Sequence, residues 1–276
     1  MFHSLPRDFL YSAYFIKSTF AEPSGKEHVF SGTCFFVNSE DGSRPNLVTN
    51  RHVVEPQYKD RKWKELTLRH FDVRGYCRVT GLRDIWLKAS TSSWIFPNDY
   101  CEDVAILPSP QFHALNPSDH NFQPYGLSAN LLASFDDFQN TVEICDMLAF
   151  PGYPPWFDQN GQRPIIRGGT VASDPRSDYR SAGMQEARRM AYEAFSFGGS
   201  SGSPVFALAK GLRLGGGLQG GYFRDIKLVG INGGHLQNST YGEHQHSGIS
   251  YLFKSTVILD CLQAADVSTV AALLSS

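Results

Sequence analysis

No stretch of this 276-residue chain holds the ~18 consecutive apolar residues that a membrane-spanning helix needs, so no membrane segment is expected. Its start, Met1-Phe2-His3-Ser4-Leu5-Pro6-Arg7-Asp8, lacks the basic, apolar, then small-residue order of a secretory leader. An excess of either charge is also missing: 25 Lys and Arg stand against 27 Asp and Glu, a formal net charge of −2. That balance gives no electrostatic footing for nucleic acid or an anionic lipid surface. The one basic run, Arg61-Lys62-Trp63-Lys64, is short and reads as a solvated loop. The five cysteines, at 34, 77, 101, 145 and 261, are odd in number and far apart. Such a set does not form a disulfide framework, and without a CxxC pair zinc has no recognisable site. Free thiols in a reducing compartment fit best, which makes the cytoplasm the expected location. The alternative is a mature form whose leader has been removed.

What is present is an ample core. Hydrophobic residues make up 41% of the chain and charged residues 19%, a globular composition. The apolar segments are short: 14–20, 29–37 with a Ser31-Gly32-Thr33 kink, 47–49, 104–107, 147–150, 169–172, 204–207 and 228–231. Glycine, proline, asparagine and aspartate separate them, as in an all-β antiparallel barrel or sandwich. The chain is expected to divide into a first unit over 1–115, a polar, proline-punctuated connection over 116–140, and a second unit over 141–254. Apolar residues at helical spacing from Val257 to Leu273 predict a C-terminal helix over 255–276, with Ser255 as its N-cap.

Three short motifs carry chemistry. Leu47-Val48-Thr49-Asn50-Arg51-His52 ends an apolar strand in a histidine. Glu102-Asp103-Val104-Ala105-Ile106-Leu107 starts another with an aspartate. Gly198-Gly199-Ser200-Ser201-Gly202-Ser203-Pro204 sets serines among small residues, where substrate backbone can approach and N–H groups can face a developing charge. A serine hydroxyl is a poor nucleophile near neutral pH. It needs a base within hydrogen-bond reach and a third group to orient that base.

Together the three motifs, in His, Asp, Ser order, resemble the chymotrypsin/trypsin family of serine endopeptidases. The Ser-Gly-Ser-Pro form and Phe150-Pro151-Gly152-Tyr153-Pro154 resemble its bacterial branch, with the glutamyl endopeptidases and high-temperature-requirement proteases. Gly32-Thr33-Cys34-Phe35-Phe36-Val37 is similar to the strand before the histidine, and Leu228 to Gly234 to the strand lining the cleft. The resemblance covers roughly residues 14–262. It implies two antiparallel six-stranded β-barrels with the active site between them, and a polypeptide substrate. It also implies Ser201 as nucleophile, His52 as base, Asp103 as its orienter, and an oxyanion hole from the N–H groups of Gly199 and Ser201. No metal or organic cofactor is expected. The specificity pocket would use Phe195, Ser196, Asn232, Gly233 and Gly248. None is acidic, which argues against a Lys or Arg side chain before the cut. Two features depart from the digestive relatives. Ser200 stands where they carry the aspartate that receives a freed N-terminus, so N-terminal activation is not expected. Val53 stands where disulfide-bearing relatives carry a cysteine.

The same chain offers other motifs. Gly198-Gly199-Ser200-Ser201-Gly202 fits the G-x-S-x-G elbow of α/β-hydrolases with Ser200 as nucleophile, but too little chain follows it for the expected βα units. A protease fold kept as a binding scaffold would be marked by a lost triad residue, and none is lost. The alternative of a true protease held latent until a partner or ligand orders its oxyanion hole stays open, since Gly198 and Gly199 make such a flip physically easy. His235 with His244-Gln245-His246 lacks a carboxylate or cysteine to complete a metal site. Gly215-Gly216-Gly217 with Gly220-Gly221 lacks the lysine of a phosphate loop. Asn238-Ser239-Thr240 is a glycosylation sequon by pattern only. Nothing in the sequence names a regulatory partner.

Overall fold

The computed structural model describes residues 2–40, 42, 44–77, 81–89, 94–110, 112–114, 123–212, 223–238 and 245–274. The glycine clusters at 215–217 and 220–221, His244, and the last two sequon residues lie outside them. In chain order the first half carries β1 (Ala13–Ala21), β2 (Glu27–Asn38), β3 (Pro45–Thr49), α1 (Arg51–Val54), β4 (Thr67–Cys77), β5 (Gly81–Ala89), β6 (Ala105–Pro108), β7 (Phe112–Ala114) and β8 (Gly126–Ser128). The second carries α2 (Phe135–Asn140), β9 (Met147–Gly152), β10 (Ile165–Val171), β11 (Arg189–Glu193), β12 (Pro204–Ala207), β13 (Lys227–Asn238), β14 (Gln245–Lys254) and α3 (Ser255–Leu274).

Strands β9 to β14 close into a six-stranded barrel in the order β10-β11-β14-β13-β12-β9, as expected of the second unit. The first half has more strands than six. Its sheet runs β6-β3-β2-β1-β4-β5-β7, and β8 adds to β2 in parallel. Among the described residues this sheet is not closed. The extra strand β8 comes from the segment expected to be a plain connection, which pairs beside β2 rather than running free.

Short buried strands such as β6 and β12 are apolar runs with both faces covered. β4 alternates instead, with Phe71, Val73 and Cys77 inward and Asp72 and Arg74 on the other face. That polar face hid the strand from a search for apolar runs. β2 runs unbroken through the expected kink at Ser31-Gly32-Thr33.

One apolar cluster joins the halves: Phe35, Val48 and Ile106 from the first sheet meet Phe206, Ile231 and Phe253 from the barrel. α3 seals this seam with Val257, Ile258 and Leu262, which its spacing marked, and with Cys261, which it did not. The Ser255 hydroxyl, expected to cap α3, donates instead to the Ala133 carbonyl at 2.6 Å. Among the described residues no helix is long and apolar enough to cross a membrane.

Candidate active site

β3 pairs antiparallel with β6, Thr49 opposite Ala105. That register carries the residues just beyond each strand end, His52 on α1 and Asp103 before β6, into contact. His52 Nδ1 lies 2.6 Å from Asp103 Oδ2, and the His52 backbone N–H donates to Asp103 Oδ1 at 2.9 Å. A carboxylate only accepts, so the imidazole proton sits on Nδ1 and Nε2 keeps its lone pair. Asn50, fully buried, donates its amide to the Asp103 carbonyl at 2.6 Å and holds that corner in place.

Asp103 is 3% exposed. Burial pushes its pKa up, but the His52 ring, the Lys59 ammonium and the His52 N–H outweigh that and hold it below the ordinary carboxylate range. Burial lowers the pKa of His52; Asp103 pulls it up and Lys59 pushes it further down, with a net shift below the usual imidazole value. Near neutral pH the pair is therefore a neutral imidazole on an ionised carboxylate.

The barrel supplies the serines on a turn before β12. Ser200 N–H donates to the Phe197 carbonyl at 3.0 Å, and Gly199 has φ +82, a type II turn with glycine at its third position. Gly202 is also left-handed, at φ +88, and a Cβ there would stand 1.9 Å from the Thr33 carbonyl oxygen. β2 braces this turn from the other half. Thr33 N–H donates to the Ser201 carbonyl at 2.8 Å and Thr33 Oγ1 to the Gly199 carbonyl at 2.7 Å, while Oγ1 accepts from Tyr153 N–H at 3.1 Å. Both carbonyls are thereby turned toward Thr33. Among the described residues the N–H groups of Gly199 and Ser201 find no acceptor.

The two serines have opposite surroundings. Ser200 is 0% exposed, and its hydroxyl accepts from Arg167, whose guanidinium also donates to the Phe195 carbonyl at 3.0 Å. Ser201 is partly exposed, and among the described residues its hydroxyl makes no hydrogen bond. It lies close to the helix bearing His52: a Cβ on Gly32 would be 3.0 Å from a Val53 methyl and 3.1 Å from the Ser201 carbonyl oxygen. His52 Nε2 meets Lys59 Nζ at 3.2 Å.

The expected pocket residues sit on or beside neighbouring barrel strands: Phe195 and Ser196 just past β11, Asn232 and Gly233 on β13, and Gly248 on β14. Phe195 is 58% exposed and stands 4.9 Å, centroid to centroid, from His246, which stacks on His235 at 4.2 Å. Ser250 Oγ is 2.9 Å from both the Ala194 carbonyl and Ser196 Oγ. The carbonyl only accepts, so Ser250 gives it the proton and Ser196 donates to Ser250. The Asn232 amide is engaged at both ends, accepting from the Tyr192 hydroxyl at 2.8 Å and donating to the Ser200 carbonyl at 2.9 Å. It braces the serine turn. Gly233 lies on β13 against the Tyr251 and Phe253 rings, and Gly248, at φ +85, opens onto free space. Among the described residues no cluster of three or more His, Cys, Asp or Glu is arranged to hold a metal.

Residues 32–215, more than half of the chain, match the trypsin-like peptidase domain. The chain belongs to the trypsin-like peptidase family. One solved structure shares the fold. The active form of the Rv3671c protease from M. tuberculosis superposes with a TM-score of 0.50 at 16% identity, over 92% of this chain and 81% of that one. Deg5 matches at 13% identity with a TM-score of 0.45, over 91% of this chain and 87% of its own. No curated protein matches. The trypsin-like fold is that of a serine protease.

Thr33, Asn50, Arg167 and Lys59 did not emerge from sequence reasoning. Thr33 and Asn50 lie inside the quoted motifs, but nothing local shows that their side chains cross to the other half or to Asp103. Thr33→Val keeps the volume and removes the hydroxyl, leaving the Gly199 carbonyl and Tyr153 N–H without that partner. We expect a stability loss of about 1–3 kcal/mol with reduced turnover, read by urea unfolding and peptide hydrolysis. Unchanged stability would show that the bridge holds nothing.

Proposed function

We propose that this trypsin-like peptidase is a serine endopeptidase that uses Ser201, His52 and Asp103. The observation that carries the reading is the His52 Nδ1–Asp103 contact at 2.6 Å, which leaves the Nε2 lone pair to accept a proton, with Ser201 the partly exposed serine of the turn. Ser201 Oγ attacks the scissile carbonyl carbon as its proton passes to His52 Nε2. The oxyanion that forms accepts from the Gly199 and Ser201 N–H groups, one such donor being worth about 10²–10³ in rate. The C–N bond then breaks, the leaving amine takes the proton from Nε2, and an acyl-serine remains. Water repeats the sequence in reverse, its proton going to Nε2 and its oxygen to the acyl carbon, and Ser201 is released. Asp103 stays ionised throughout and stabilises the imidazolium. Every step is carried by this chain's own groups.

The finer reading of specificity is a non-basic residue before the cut, since Phe195, Ser196, Asn232, Gly233 and Gly248 bring no carboxylate to the pocket. A peptide-library profile dominated by Arg or Lys would overturn it. Control without N-terminal cleavage is supported by Ser200, which takes its hydrogen bond from Arg167 inside the barrel.

A serine-reactive fluorophosphonate tests the assignment. Labelling should disappear in Ser201→Ala and persist in Ser200→Ala. The opposite pattern would assign the chemistry to Ser200 and sink the proposal.

A further inference from the structure

Lys59 stands just past the short turn that follows α1. The residue is exposed, and its ammonium lies 3.2 Å from His52 Nε2. Nδ1 carries the ring proton, so the ammonium is the donor and Nε2 the acceptor. This is the same lone pair that must receive the Ser201 proton. The one opposite charge acting on Lys59 among the described residues is Asp103, already bonded to His52 on its far side. Lys59 also lowers the pKa of His235 on β13, so its charge is felt on both walls of the cleft between the halves.

We propose that Lys59 is a specificity-determining residue that occupies the His52 lone pair in the resting chain and selects peptides bearing a carboxylate on the leaving side of the scissile bond. The proposal rests on the Ser201–His52 reading above. The side follows from the chemistry. Nε2 hands its proton to the leaving amine, so a group at Nε2 stands beside the leaving segment. An incoming carboxylate supplies the missing counter-ion and draws the ammonium off Nε2 as the substrate arrives. A charge-assisted hydrogen bond of this kind is about twice as strong as a neutral one. A neutral peptide must displace the ammonium with nothing in exchange. Lys59 keeps its proton throughout, and no bond to it is made or broken. The carboxylate is either an acidic side chain or the free end of the leaving peptide.

The test compares kcat/KM for matched peptides with Glu or Gln at the first and second positions after the cut, each with a free or an amidated C-terminus. The unmodified protein should favour the carboxylate-bearing member of a pair by about tenfold or more. A preference that follows Glu identifies the side chain as the source, and one that follows the free terminus identifies the chain end. In Lys59→Met the ratio should fall to near one, mainly because the neutral peptide is cut faster. Lys59→Arg, which keeps the charge, should keep most of the preference. The acid limb of kcat/KM should also move to higher pH in Lys59→Met, because a cation that depresses His52 is gone. Tyr58, Tyr251, Arg189 and His235, the other titratable groups around the pair, are the same in both proteins. An unchanged ratio in Lys59→Met, or an equal fall for both peptides, would overturn the proposal. Fluorophosphonate labelling run in parallel separates the two readings. Absence of Ser201 labelling in both proteins sinks the triad, whereas labelling with an unchanged ratio sinks only the role of Lys59.

Discussion

Asp103→Asn is expected to lower kcat about 10⁴-fold while the protein stays folded. The carboxylate accepts twice from His52, once from the backbone N–H and once from Nδ1–H. An asparagine can still accept from the backbone N–H through its oxygen. Its NH₂ then faces Nδ1, and the ring must turn Nδ1 into an acceptor and carry its proton on Nε2. A protonated Nε2 cannot take the Ser201 proton. Removing the negative charge also takes away the influence that raises the His52 pKa. The acid limb of the residual activity should therefore shift to lower pH as the plateau falls. Circular dichroism checks the fold and a kcat/KM pH profile checks the chemistry; a loss of less than tenfold would remove Asp103 from the mechanism.

The same two groups set a sign for stability against pH. The folded-state pKa of His52 lies below its unfolded value of about 6.5, so below that pH the unfolded chain gains a proton the folded chain refuses. The folded-state pKa of Asp103 is also lowered. Its contribution is present above about pH 3.9 and is lost as pH falls through the lower folded value. Both act in one direction, toward loss of stability in acid.

Gly202→Ala is expected to destabilise the protein by at least about 2–3 kcal/mol and to abolish activity. A non-glycine residue held left-handed costs roughly 1–2 kcal/mol by itself, and φ at this position is +88. The added Cβ would also lie 1.9 Å from the Thr33 carbonyl oxygen and 2.7 Å from Thr49 Oγ1. The carbonyl is main chain within β2 and has little freedom to yield. Relief requires the serine turn and β2 to separate, which breaks the Thr33 bonds to the Ser201 and Gly199 carbonyls. Gly198→Ala is the control on the same turn, since a Cβ there meets nothing within 4 Å. Urea unfolding of the two variants decides: equal stability would show that the turn is not clamped against β2.

Much of the architecture was legible because it depends on local pattern. The apolar run of 104–107 and the helical spacing after Ser255 each mark one element, and β6 and α3 occur where that logic puts them. β4 was missed because its inward residues alternate with charged ones. β8 was missed because three residues in a polar segment show no period until β2 lies beside them. The extra strands of the first sheet are decided by that pairing, which has no local signature.

The sequence by itself determined the kinds of chemistry available and their order along the chain: a histidine ending a strand, an aspartate starting one, and serines on a glycine turn. The choice between Ser200 and Ser201 was made first by motif resemblance. The tertiary structure adds a physical contrast, burying one hydroxyl against Arg167 and leaving the other partly exposed. Only the fold decided which side chains brace the site. Thr33 reaches the Gly199 carbonyl across 166 positions, and Asn50 reaches the Asp103 carbonyl across 53. Lys59, which no sequence motif singles out, comes to rest on the base itself. Contacts of this range follow from strand register and from how the two halves are pressed together by a shared core. Residue spacing encodes which face of an element is buried, but not which distant group will meet it there.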